Sequence, residues 1–445
     1  MTEMRPGQIA TTRPSRASRI VLTAVGSLGD LHPYVAIALG LKARGHEAIV
    51  ATSACYRQKI EALGLGFCAV RPDSDFVTDP AVMRRIMDLR RGTFRVLREL
   101  ILPVLRDSYE DTLAAADGAD LLVSHTIFYA TRLVSETTGI PWVSTIITPT
   151  GLFSAFDPPL LPGFPGLSKS LRPLGPAFWG PVGRFLKGAT SSWAGPCDRL
   201  RKEIGLPPTA GNPLVDGHSP ALVLALFSKV LAGKQSDWPP QTVITGFPYF
   251  DQDGEAGLPP DLVRFLGAGP PPLVFTLGMS SATVAGSFFE YSVAAAKRLG
   301  RRAVLVLGKN ALNRPTSLPE GVVAIDYAPF SELFPRAAAI VHAGGIGTTG
   351  LAMRAGRPTL VVPFAHDQPD NAERAARLGV ARIVYPRRYT PTRVAEELRR
   401  ILDDPSYAQR ASEVGKPVRQ EDGVRVACDA LEALIRERPD ALTQP

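Results

Sequence analysis

Along this 445-residue chain, short apolar runs alternate with longer amphipathic stretches. Runs at 19–25, 46–52, 65–70, 120–124 and 142–147 are rich in Val, Ile and Leu and lie between turn-forming residues. Continuous apolar runs of that length mark strands buried on both faces. Helical stretches fill the gaps, the first predicted over 33–44, where Pro33 suits the opening turn and Gly45 the stop. A second series begins near Pro272, with strands predicted at 273–277, 303–307, 322–325, 337–341 and 359–362. Strand alternating with helix predicts a parallel, doubly wound sheet, here twice over. The predicted fold class is α/β with two facing doubly wound domains, residues 19–243 and 244–422, joined near 242–253. A tail at 1–18 is expected to be disordered. The last segment, 423–445, is expected to carry a helix that packs back on the first domain.

Between 148 and 187 the alternation stops. Eight prolines stand among Phe, Leu and Trp, a mixture that predicts neither regular helix nor strand. Loops this long inside a compact domain are commonly functional. This one is too apolar for a solvated linker, so it is expected to line an apolar pocket, the alternative being an irregular cover over the core. Upstream, Arg84, Arg85, Arg90, Arg91, Arg95 and Arg98 crowd one helical region. They form either a solvated face or contacts for a carboxylate or anionic lipid headgroups.

Composition narrows the class. Apolar residues make up 45% and charged residues 21%, ordinary for soluble globular domains. No run approaches the roughly 18 apolar residues of a membrane span, and the N-terminus lacks the apolar segment of a secretory signal. Cys55, Cys68, Cys197 and Cys428 are scattered without a CxxC spacing, which points to a reducing compartment and a cytoplasmic protein. Of the net charge of +8, the first nineteen residues hold +3, from Arg5, Arg13, Arg16 and Arg19 against Glu3. The remaining +5 suits an anionic small ligand or a peripheral contact with the inner face of an acidic membrane. It is weak for nucleic acid, so no nucleic-acid partner is expected.

Candidate chemistry concentrates in 341–371, VHAGGIGTTGLAMRAGRPTLVVPFAHDQPDN. A predicted strand ends in His342 and a cluster of Gly344, Gly345, Gly347 and Gly350. A helix, a second strand and the pair Asp367–Gln368 follow. Helix N-termini bind anions, and glycine lets a phosphate approach the backbone. The layout fits a ligand with a diphosphate and a hydroxyl-rich appendage. It also matches a dinucleotide fingerprint, Gly345-x-Gly347-x-x-Gly350 with Asp367 as the ribose acid, and a tight turn with no ligand is the plainest alternative. In the first half, GSLGDLHP sets Asp30 at a strand exit, either as a helix cap or as a general base. His32 and His125 are the candidates to assist it. Asp73-Ser74-Asp75 and Asp251-Gln252-Asp253 have a spacing for Mg²⁺ or Mn²⁺ but sit among turn residues, so no metal is expected.

The stretches GSLGDLHPYVAIALGLKARGHE, SDWPPQTVITGFPYFD, HAGGIGTTGLAMRAG and AHDQPDNAERAARLGV, in this order, resemble the family 1 nucleotide-sugar glycosyltransferases with two facing Rossmann-like domains, the GT-B fold. The resemblance covers 19–435 and leans toward bacterial rhamnosyltransferases of the rhamnolipid type. It implies an acceptor-binding N-terminal domain and a nucleotide-sugar-binding C-terminal domain. The implied reaction is inverting and needs no metal or other cofactor. A hexose, rhamnose or glucose, passes from a dTDP- or UDP-sugar to a hydroxyl of a lipophilic acceptor such as a hydroxy fatty acid, or alternatively a phenolic, macrolide or sterol alcohol.

Roles follow by position. Asp30 would be the base, with His32 or His125 beside it. His342, Gly344, Gly345, Gly347, Thr348 and Ser280 would hold the diphosphate, and Tyr327 would stack on the base. Asp367 and Gln368 would hold sugar hydroxyls, and Asn371 would support that loop. Many relatives place His where this chain has Asp30, with an acid at the later strand end. Here His125 takes that later position, so the pair is swapped. Rivals of another class are a sugar-nucleotide epimerase and an NAD-dependent oxidoreductase.

Overall fold

The computed structural model describes residues 17–73, 76, 79–161, 163–209, 211–212, 215–250 and 257–437. Most of the expected tail, Ser74 and Asp75, and the Asp251–Asp253 pair lie outside them. Seven strands form the first sheet: β1 (Arg19–Thr23), β2 (Glu47–Thr52), β3 (Gly66–Ala69), β4 (Leu121–His125), β5 (Trp142–Ile146), β6 (Val223–Ala225) and β7 (Thr242–Ile244), in the order β3-β2-β1-β4-β5-β6-β7. The second holds β8 (Leu273–Thr276), β9 (Ala303–Val306), β10 (Val322–Ile325), β11 (Ala339–His342), β12 (Thr359–Val361) and β13 (Ala381–Ile383), in the order β10-β9-β8-β11-β12-β13. All pairings are parallel. Both orders reverse at a single point, between β1 and β4 and between β8 and β11. A reversal of this kind opens a crevice at the carboxyl ends of the strands. The helix start that carries Asp30, the turn with Ser280 and the segment His342–Thr348 lie at those ends, and His125 is the last residue of β4.

The strands read as continuous apolar runs because both faces are covered. Ile20, Leu22, Leu121 and Val123 pack with Leu31, Tyr34 and Ile37 of the helix Leu28–Ala43 and with Ala427, Cys428 and Leu431 of the last helix, Gly423–Arg436. Val21, Ile49 and Leu122 face the other way, onto Phe128, Tyr129 and Leu133. A Cβ at Gly40 would stand 2.5 Å from Val424 Cγ1, so only glycine admits the last helix at that distance. No helix of the described residues is long and apolar enough to cross a membrane.

Three local expectations are corrected. The first helix begins at Leu28, and Pro33 lies within it; the N-terminal turn is closed by Asp30, so the one bond that Pro33 forfeits is tolerated. The proline-rich stretch holds two helices, Pro165–Leu171 and Gly175–Thr190. Pro165 and Pro176 fall in first turns, where a missing N–H costs nothing. Strands β6, β7 and β13 are additional: β6 sits in the apolar run 221–227, a usable signal, whereas β7 and β13 are three residues long and only partly buried.

The domains meet through apolar packing. Met83 and Ile86, on the helix Pro80–Ile86 of the arginine-rich stretch, lie against Ala365, beside Phe364 and Val284. Elsewhere Ile146, Phe227 and Phe247 share a cluster with Met353 and Val418.

Candidate active site

The exit of β1 bends sharply. Gly26 has φ +127°, and a Cβ there would stand 2.6 Å from Asp30 Oδ2. Glycine lets the carboxylate fold back beneath the turn. Oδ2 accepts from Ser27 N and Ser27 Oγ, each at 2.8 Å, closing the first turn as the acid of a capping box. Cap and base were alternatives from sequence, yet capping occupies one oxygen alone. Burial outweighs these bonds and raises the carboxyl above its usual range, the direction a base working near neutrality needs.

Neither histidine is hydrogen-bonded to Asp30 among the described residues. His32 Nε2 meets Lys59 Nζ at 3.3 Å, and its ring lies edge-on to Phe250. Burial, then the Lys59 charge, lowers it to about 4. His125 Nδ1 accepts from Ile127 N at 3.1 Å, and burial, with the neighbouring His218, lowers it to about 4. Tyr34, unmarked in the sequence, also senses Asp30: its hydroxyl meets Thr145 Oγ1 at 2.5 Å, and burial, with the Asp30 charge, pushes it upward.

In the second domain, β11 ends at His342, which is buried. Its Nδ1 accepts from Gly344 N at 3.1 Å, while Nε2 is buried without a hydrogen-bond partner among the described residues. Burial lowers this ring to about 4, so it is neutral. Gly344 has φ +89°, and a Cβ on it would crowd Val361 and the Gln368 carbonyl. Around Gly345 and Gly347, at the start of the helix Ile346–Ala355, a Cβ would meet open space. That opening and the free N–H groups of the first turn suit an anion. Gly350 differs, because a Cβ there would press on the Phe247 ring at 3.0 Å. The third glycine of the dinucleotide-like pattern therefore serves packing. Thr348 Oγ1 lies beside Gly278, so the turn after β8, with Ser280, adjoins the glycine cluster. Tyr327 is exposed just beyond β10.

The Asp367 loop is braced from within. Asn371 Nδ2 donates to Asp367 Oδ2 at 2.7 Å and to the Gly344 carbonyl at 3.0 Å. Gln368 Oε1 accepts from Phe364 N at 2.8 Å and Ala365 N at 3.2 Å, and its Nε2 donates to Ser281 Oγ at 3.1 Å. Ser281, one residue beyond the Ser280 marked by sequence, is thus the one that grips this loop. Asp367 is pushed up to about 7, first by burial, against the Asn371 bond, with the charges of Asp30 and Asp370 adding to the rise. The two domains therefore set Asp30 and Asp367 within electrostatic reach of one another.

Sequence reasoning missed the seam beside this pair. His366 has φ +58°, rare for a non-glycine residue and commonest where function holds the backbone. Its Nδ1 meets Thr93 Oγ1, from the first domain, at 3.2 Å. Asp157 is bound by Arg172, Arg374 and Arg377, and Lys169 Nζ reaches Glu373 Oε2 at 2.9 Å. The proline-rich stretch is thereby fixed to the helix Gln368–Arg377, which begins at the Asp367 loop. No sequence signal pairs 157 with 374. Among the described residues no group of three or more His, Cys, Asp or Glu side chains is placed to hold a metal ion.

Residues 20–116 match the N-terminal domain of glycosyltransferase family 28, and residues 291–423 match the C-terminal domain of the erythromycin biosynthesis protein CIII-like family. The O-mycaminosyltylonolide 6-deoxyallosyltransferase of Streptomyces fradiae is 34% identical over 96% of this chain and 99% of its own. The chain belongs to the GT-B glycosyltransferases. This transferase is also 29% identical to the vancomycin aglycone glucosyltransferase of Amycolatopsis orientalis, over 95% of this chain and 99% of that one. It is 27% identical to the sterol 3-beta-glucosyltransferase UGT80A2 of Arabidopsis thaliana, over 95% of this chain and 66% of the plant protein. Among solved structures, the spinosyn forosaminyltransferase SpnP superposes with a TM-score of 0.68 at 20% identity, over 95% and 100% of the two chains. The glycosyltransferase VinC, in complex with DTDP, gives 0.66 at 22%, over 94% and 100%. These structures bear out the two parallel-sheet Rossmann-like domains. The relatives support the wider family and not the rhamnolipid branch in particular.

Proposed function

We infer that this glycosyltransferase moves a hexose or deoxyhexose from a dTDP- or UDP-sugar to a hydroxyl of a lipophilic alcohol, inverting the anomeric centre without a metal. The observation that carries this reading is the pairing of Asp30, raised by burial, with Asp367 across the cleft. Asp30 removes the proton of the acceptor hydroxyl, and the oxygen attacks the anomeric carbon from the face opposite the diphosphate. The glycosidic bond to phosphate breaks, and its electron pair leaves with the nucleoside diphosphate. Backbone N–H groups at Gly345–Gly347, with the hydroxyls of Ser280 and Thr348, offset the developing charge. His342, whose Nδ1 accepts from Gly344 N, holds the glycine turn that presents these donors. Asp367 engages sugar hydroxyls, Gln368 and Asn371 hold its loop, and Tyr327 stacks on the base.

For the acceptor, the names of the relatives favour a macrolide or sterol-like alcohol over the hydroxy fatty acid that the rhamnolipid resemblance implied. A dTDP donor is supported by the DTDP-bound structural neighbour, a likeness of fold alone. Mass spectrometry on dTDP- and UDP-sugars paired with macrolide, sterol and hydroxy-fatty-acid acceptors tests the reading. Acceptor-dependent release of nucleoside diphosphate, with a glycosylated alcohol, is expected. Turnover of the sugar nucleotide with no acceptor present would count against transfer and for epimerisation.

A further inference from the structure

The helix Gly175–Thr190, GPAFWGPVGRFLKGAT, carries only Arg184 and Lys187 as charged residues. Its inner side buries Trp179 and Gly183. The outer side is just as apolar: Leu174, Ala177, Pro181, Phe185 and Gly188 recur at helical spacing, and all are exposed. A surface helix ordinarily turns polar residues outward, and one apolar all round is ordinarily covered. Phe164 and Leu167, at the helix Pro165–Leu171 that Trp179 Nε1 joins to this one through the Leu171 carbonyl at 3.1 Å, are exposed as well. Exposure reaches 61% at Phe164, 58% at Leu167, 53% at Leu174 and 73% at Phe185.

Within this segment every charge is positive. From 158 to 197 the sequence holds Lys169, Arg172, Arg184 and Lys187 and no Asp or Glu. Arg90 lies over the Phe164 ring at 6.0 Å, and Phe94 packs on Trp193 at 4.6 Å. The arginine-rich stretch, with Arg91 and Arg98 exposed, therefore borders the same surface. Lys169, Arg172 and Lys187 have carboxylate partners, which leaves Arg90, Arg91, Arg98 and Arg184 as the fringe.

We propose that this apolar, arginine-fringed face of the first domain docks on an anionic lipid bilayer. Phe164, Leu167, Leu174 and Phe185 enter the headgroup boundary, and the arginines meet lipid phosphates. A second copy of the chain is the poorer occupant, because an isologous contact would set each arginine fringe against itself. The inference stands on the surface and is independent of the sugar donor and acceptor.

Sedimentation of the full chain with phosphatidylcholine vesicles, with and without phosphatidylglycerol, tests it. Pelleting with the anionic vesicles is expected, weakening as salt rises. The paired change Leu174→Ser and Phe185→Ser should lower binding about tenfold or more, and Arg184→Glu severalfold. Unchanged melting and nucleotide binding would show that these surface variants are folded. Absence of pelleting with anionic vesicles, or equal pelleting by the paired variant, overturns the proposal. So does a concentration-dependent dimer that the paired variant abolishes while vesicles bind nothing.

Discussion

Leu160 donates its backbone N–H to Asp370 Oδ1 at 2.8 Å, joining the proline-rich stretch of one domain to the helix that opens at Asp367 in the other. The same carboxylate holds Arg374 Nε at 2.6 Å, and Arg374 in turn binds Asp157. A shift of the acceptor-side segment is thus transmitted to the sugar-side loop. Asp157→Asn should raise the acceptor KM severalfold and leave the donor KM within about twofold, as read by steady-state kinetics varying each substrate. Equal effects on both constants would show that the seam does not act selectively on acceptor placement.

Asp30→Asn keeps a hydrogen-bond acceptor for Ser27 but cannot take a proton. Its kcat should fall by about 10²–10⁴, while calorimetry shows nucleotide-sugar affinity unchanged. A variant that turns over near the parental rate would remove Asp30 from the role of base.

The burial of Asp30 predicts a pH effect. As a base, Asp30 acts deprotonated, so kcat/KM rises with pH through its pKa. Burial holds that pKa above the usual carboxylate range, so the acidic limb of the profile lies at higher pH than an ordinary aspartate would give. A kcat/KM–pH profile measures it, and a limb at the pH of an ordinary aspartate sinks the idea.

Gly350→Ala should destabilise the fold by about 1–3 kcal/mol, because the new methyl presses on Phe247 at the domain seam. Thermal unfolding reads this, and nucleotide affinity should stay within about twofold. Lost affinity at parental stability would instead give Gly350 a ligand role.

Acid should weaken the fold. His32, His125, His342 and His366 are each lowered to about 4 by burial. Between their ordinary value and pH 4 the unfolded chain binds protons that the folded one refuses, so stability falls as pH drops through that window. Asp30 and Asp367 are raised and act in the opposite sense. The lowered histidines outnumber the raised carboxyls, so the net expectation is lower stability near pH 5 than near pH 7. Denaturant titrations at several pH values check the slope, and a flat profile would refute it.

Much of this was legible in the chain because its signals are local. The runs that became β1, β2, β8 and β9 are mostly apolar, since helices cover both faces, and the glycines around Gly345 mark their turn by composition alone. What stayed hidden depends on tertiary approach. Thr93 finds His366 and Asp157 finds Arg374 only where the domains meet, and Ser281 finds Gln368 only once the second domain has folded. The proline-rich stretch misled because proline's cost depends on its place in a helix, and Pro165 and Pro176 stand where that cost vanishes. Swapping an acid into the position of Asp30 was visible, whereas the engagement of His125 with Ile127 rather than with that acid was not.

The packing of Gly423–Arg436 on Leu28–Ala43 makes the first domain discontinuous in sequence, since Ala427, Cys428 and Leu431 complete a core begun by Ile20 and Leu22. The second domain is an insertion within the first. A ribosome must therefore release all of the second before the first can close its core.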